Sequence, residues 1–140
     1  MKKLGIPFWN VNYGDEDIEA VGEAIKNNRI SQGKITAELE RNIADIIDVE
    51  HVIMVSSGSM ALTIALYAIG VGCGDEVIIP SKTWIATLNA VVMLGGVPIL
   101  IDTQEEIPII DTSKIEEAIT EKTKAIIPVH LNGLACEMQK

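Results

Sequence analysis

The chain has 140 residues, 48% of them hydrophobic but only 4% aromatic, and a net charge of −9. That length suits one domain able to bury a sizeable core, and a mixture dominated by Ile, Val, Ala and Leu suits a parallel sheet clothed in helices rather than a disordered chain. The acidic balance excludes general attraction to nucleic acid or anionic membrane surfaces. Cys73 and Cys136 form no CxxC or Cys/His array, which leaves no disulfide framework and no zinc site and suits a reducing cytoplasm. Lys2 and Lys3 are followed by no long apolar run, and no segment approaches the roughly 18 apolar residues of a membrane span, so a soluble protein is expected.

In chain order, residues 15–28 carry Ile18, Val21 and Ile25 at helical spacing, with acids in the first turn and Lys26 and Arg29 at the end, as the helix dipole prefers. Residues 29–33 break this helix, and a second amphipathic helix runs through Leu39, Ile43 and Ile46 to Ile47. Residues 52–55 read as a strand buried on both faces, followed by the Ser56 to Ser59 turn and a helix from Met60 to near Gly70. EVIIP, 76–80, is the next strand, and a helix spans about 84–94. Gly95, Gly96 and Pro98 punctuate the start of a strand ending near Ile101, Asp111 or Thr112 caps a short helix through Ile119, and AIIPV, 125–129, is the fourth strand. Strands and helices alternating across short loops predict right-handed crossovers and a mostly parallel sheet with helices on both faces. Residues 1–50 form a helical segment ahead of this alternating part, 51–140.

In such sheets ligands gather beyond the carboxyl ends of the strands. The topology therefore singles out Ser56 to Ser59, Ser81 to Trp84, Asp102 to Glu106, and the residues from His130 onward. At the first of these, Gly58 permits close approach of a ligand, and the N–H groups and positive dipole end of the following helix favour an anion such as a phosphate. Small polar caps are also common at strand-to-helix turns for conformational reasons alone. Trp84 at a strand end offers a flat indole for stacking on a planar ring, or packs on the sheet as a helix-start residue.

Competing motifs fail on context. GVGCGD follows a helix and precedes a strand, the reverse of the dinucleotide fingerprint, and no GxxxxGK[ST] is present. Ser57 lacks the GxSxG elbow. His51 and His130 are isolated, which favours structural roles over metal ligation.

VSSGSMAL, GVGCGDEVIIPSKTWIATLNAV, GGVPILID and TKAIIPVHLNG, in this order, resemble the DegT/DnrJ/EryC1/StrS family of sugar aminotransferases, as do the earlier IPFWNVNYGDEDIEAV and RISQGKITAELE. The resemblance covers nearly the whole chain. It implies the N-terminal portion of the type I aminotransferase large domain, dependence on pyridoxal 5′-phosphate (PLP) alternating with pyridoxamine 5′-phosphate (PMP), and transfer of an amino group from glutamate to a nucleotide-linked keto sugar by a homodimer. By position, Gly58, Ser59 and Met60 match the phosphate-binding turn, Met60 through its backbone alone. Trp84 matches the aromatic residue stacked on the pyridine ring, while Ile30, Ser31 and Gly33 match a loop near the sugar. Lys34 departs from the proline commonly found there, and Asn89 and His130 match recurrent positions read as structural.

No catalytic residue is carried over. The resemblance places the Schiff-base lysine and the aspartate that pairs with the pyridinium nitrogen beyond Lys140, and Lys82 does not match the family's lysine. The expectation is an N-terminal fragment, from a truncated or split gene, that is inactive alone and works with a complementary C-terminal chain. A PMP-dependent sugar dehydratase relative and a non-catalytic subunit are the alternative readings.

Overall fold

The computed structural model describes residues 11–139, so Lys2, Lys3, Lys140 and the start of the IPFWNVNYGDEDIEAV segment lie outside the described residues. The chain divides between Met54 and Val55 into two compact units.

The first unit contains α1 (Asp15–Lys26) and α2 (Lys34–Ile47). Asp15, Glu16 and Asp17 occupy the first turn of α1 and Lys26 the last, each charge facing the dipole end that favours it. Asp17 Oδ2 accepts the Gly14 N–H at 2.8 Å. α1 stops two residues earlier than the sequence pattern suggests, because Asn27 caps it and Asn28 turns left-handed at φ 53°, a conformation asparagine tolerates. α2 ends in the same manner at Asp48, φ 55°.

The second unit contains α3 (Gly58–Ala68), β1 (Glu76–Pro80), α4 (Ile85–Met93), β2 (Val97–Ile101), α5 (Ile115–Ala118) and β3 (Thr123–Ile126). The strands form a parallel sheet in the order β2-β1-β3, with Glu76 opposite Val97 on one side and Thr123 on the other. Alternation along β1 distributes its apolar residues between two cores. Val77 and Ile79 pack with Leu66, Val71, Ala90 and Val91 from the α3 and α4 side. Ile78 packs with Ile101, Ile109, Ile110 and Cys136, against which Ile115 and Ala118 of α5 are partly buried. Helices thus cover both faces, and this α/β arrangement is the expected fold class.

Two strand assignments need correction. Residues 52–55 form no strand: they pair with no ladder among the described residues, and Ile53 is 76% exposed. The Met54 N–H instead donates to Glu40 Oε1 at 2.9 Å, so a side chain takes the place of a neighbouring strand. The last strand runs 123–126 rather than 125–129. Its pairing with β1 starts at Thr123, and the final ladder contact is Ile127 N–H to Ile78 C=O at 2.9 Å, one residue before Pro128, which has no N–H to give.

Candidate active site

The course of the chain brings the N-termini of α3 and α4 to one end of the sheet. α3 leads into the start of β1, and α4 leaves the end of β1 and returns to the start of β2, so both helices run against the strands. Their far ends meet at the strands' amino side, where the Gly74 N–H donates to the Gly95 carbonyl at 3.2 Å. The two helices pack on each other, and each starts at the end of the sheet where the strands' carboxyl ends lie, the end at which parallel sheets collect ligands.

At the start of α3, Ser57 is the N-cap in extended conformation, and its Oγ accepts the Met60 N–H at 3.2 Å. The Ala61 N–H donates to the Ser57 carbonyl at 3.0 Å. Met60 therefore has its backbone donor engaged within the turn. The N–H groups of Gly58 and Ser59, with the Ser59 hydroxyl, have no partner among the described residues. Apart from its chain neighbours and the backbone of its own helix, no atom of the described residues lies within 4 Å of where a Cβ on Gly58 would stand, so the space over the turn is open. The result is a compact set of donors at the positive end of an eleven-residue helix.

Trp84 is the N-cap of α4, and the residue is 77% exposed. The turn beneath it is anchored to the sheet by the Ser81 N–H donating to the Ile101 carbonyl at 2.7 Å. Lys82 is exposed in the same turn, and Asn89 is exposed on α4 with no hydrogen-bond partner among the described residues, which gives no support to a structural role for it. His130 does act structurally: its Nδ1 accepts the Cys136 N–H at 2.9 Å, while Cys136 Sγ donates to the Val129 carbonyl at 3.3 Å. An accepting Nδ1 places the imidazole proton on Nε2.

The third group of expected site residues belongs to the first unit. Ser31 and Gly33 line a cavity of about 330 Å³ with Asn28, Arg29, Gln32, Lys34 and Ile35, whereas Ile30 is exposed outside that lining. Arg29 and Lys34 give this cavity two cations and no carboxylate. Neither was singled out as a binding residue from the sequence, although two bases beside a helix start with no acid in its first turn were a readable signal.

The parallel α/β layer, with open donors at one helix start and an exposed indole at the next, has the fold of the N-terminal portion of the type I aminotransferase large domain. Residues 12–140 match the family model for the DegT/DnrJ/EryC1/StrS aminotransferase family, and the chain belongs to that family. It is similar to Spr1654 of Streptococcus pneumoniae, assigned as a sugar aminotransferase and solved in PLP, PMP and apo forms, with 34% identity and a TM-score of 0.92 over 96% of this chain and 34% of that one. NtdA of Bacillus subtilis, with bound PMP, is 38% identical with a TM-score of 0.85 over 90% of this chain and 30% of its own. An aminotransferase from Psychrobacter cryohalolentis is 32% identical, TM-score 0.88, over 95% of this chain and 34% of its own. The chain spans about one third of the length of these relatives.

Proposed function

We propose that these residues hold the phosphate and ring of pyridoxal phosphate in an aminotransferase that moves an amino group from glutamate to a nucleotide-linked keto sugar. The observation that carries the reading is the set of open donors on Gly58 and Ser59 at the start of α3, at the same end of the sheet as the exposed Trp84 indole. The donor set fits a phosphate monoester: two N–H groups and a hydroxyl, on a helix dipole, supply hydrogen bonds to a dianion without a cationic side chain. The indole fits a flat pyridine ring, whose orientation is then set by stacking. When bound, the cofactor supplies the electron sink for moving the amino group.

In this reading Ser59 binds the phosphate through its hydroxyl and N–H, Gly58 through its N–H, and Met60 acts indirectly, its N–H holding the Ser57 cap that keeps the turn in shape. The Schiff-base lysine and the ring-nitrogen aspartate belong to positions after the HLNG motif, as the family resemblance implies. Arg29 and Lys34, lining the cavity with Ser31 and Gly33, support an anionic substrate, as the diphosphate of a nucleotide sugar would be. Free thiols at Cys73 and Cys136 support a reducing compartment, and among the described residues no helix is long and apolar enough to cross a membrane.

The test is a PLP titration of Ser59→Ala. Loss of a charge-assisted hydrogen bond of about 1.5–3 kcal/mol lowers affinity at least tenfold. Equal affinity in the variant would sink the phosphate assignment.

A further inference from the structure

Thr87 is the buried polar residue of the described chain, only 4% exposed, in a position that the helix pattern reserves for an apolar side chain. It lies one turn before Val91, which is fully buried in the core between α3, α4 and β1, so the two share the inward face of α4. Threonine here is a poor choice for the helix, being β-branched, and a costly one for the core, since its hydroxyl must find a partner. The partner is Thr83, with Oγ1 to Oγ1 at 2.9 Å. The Thr87 N–H also donates to the Trp84 carbonyl at 3.0 Å. Two bonds from one residue therefore close over Trp84, one to the side chain before it and one to its own carbonyl.

Trp84 needs this closure. As N-cap it has no side-chain hydrogen bond of its own, and with most of its surface exposed it receives little orientation from packing. The direction of its Cα–Cβ bond is set by backbone at φ −66° and ψ 139°, held from below by the Ser81 to Ile101 hydrogen bond and from above by Thr87. We infer that Thr87, through Thr83, is a positioning residue that fixes the Trp84 indole for a planar cofactor ring. The inference rests on the stacking reading of Trp84 given above.

The experiment compares Thr87→Val, which keeps the buried shape and removes the hydroxyl, with Thr87→Ser, which keeps the hydroxyl. Both are made in a Trp9→Phe background, so that Trp84 is the sole tryptophan of these 140 residues. Time-resolved fluorescence anisotropy without cofactor reads the local motion of the indole, and a PLP titration reads the consequence for binding. Thermal melting establishes that each variant is folded. In Thr87→Val the fast local component of the anisotropy decay increases and the PLP dissociation constant rises at least threefold, while Thr87→Ser behaves as the parent in both. Replacing one hydroxyl by a methyl at a buried site perturbs stability as well, so rescue by Ser at a matched fraction folded is the deciding comparison. Unchanged indole motion in Thr87→Val overturns the inference. So does unchanged PLP affinity in Thr87→Val where Trp84→Ala weakens binding. Unchanged affinity in Trp84→Ala itself overturns the stacking reading instead.

Discussion

Gly96 gives the sharpest stability prediction, because its surroundings leave no room for a single added carbon. A Cβ there would stand 3.0 Å from Val91 Cγ1, 3.3 Å from Val71 Cγ1 and 3.3 Å from the Asp75 carbonyl oxygen. None of the three yields readily. Val91 and Val71 are core residues, and the Asp75 carbonyl accepts the Val97 N–H at 2.8 Å, the bond that starts β2 on its course. Overpacking of this kind costs about 1–3 kcal/mol. The reduced freedom of the unfolded chain returns roughly 0.4–1 kcal/mol, as Gly96 has no left-handed φ that alanine would resist. Gly96→Ala is thus expected to lose on the order of 1–2 kcal/mol in a urea melt, visible as a lower midpoint at constant m. Gly72→Ala is the matched control: apart from its chain neighbours no atom of the described residues lies within 4 Å of its Cβ position, its φ is not left-handed, and its N–H can still donate to Asp75 Oδ2. That variant should equal or exceed the parent in stability. Equal midpoints for the two variants would refute the steric argument.

Two further outcomes are expected. On the proposed function, Trp84→Ala should reduce both turnover and cofactor retention while Trp84→Phe keeps much of each, measured by aminotransferase turnover with glutamate offered as donor and by PLP remaining after dialysis; an alanine variant with parental values would remove the indole from the proposed site. The Ser113 hydroxyl, chiefly, with the Ser113 N–H and the Lys114 ammonium, holds the Asp111 carboxyl below its ordinary value against a smaller opposing effect of burial. Because the folded value is the lower one, the stabilisation is present above the ordinary carboxylate pKa of about 3.9 and fades as pH falls through the folded value. The Tm gap between the parent and Asp111→Asn should therefore be constant above about pH 5 and close in more acidic buffer.

The elements legible in the sequence were those whose causes are local. EVIIP is bounded by a Gly-rich turn and a proline and forms β1 at the expected residues, while α1 follows from its acids, its apolar spacing and its terminal lysine. Ser57 as a cap was also within reach of a local reading, since its partner is three residues away. Residues 52–55 misled because a strand is a relation between segments: four apolar residues supply propensity, but a neighbouring ladder has to come from elsewhere in the chain. The same limit hid Thr87. TWIAT reads as an ordinary helix start, and only the packing of α4 reveals that its second threonine is buried and must be satisfied. Lys34 stands out in the sequence as a departure from proline, yet its place beside Arg29 in a cavity depends on how the α1 to α2 connection turns.

The strand order has a consequence for how this sheet closes. β1 is central in space but first in sequence, so it serves as the template on which the other two must dock. Val97 lies 21 positions beyond its partner Glu76, and Thr123 lies 47 beyond the same residue. Closing the longer loop directly costs roughly 0.7 kcal/mol more in chain entropy than closing the shorter. Once β2 has docked, however, the free tether to β3 starts at Ile101, only 22 positions before Thr123, and the two closures become nearly equal. This order makes two short closures in succession available, and the first of them spans the helix α4, which has Trp84 at its N-cap.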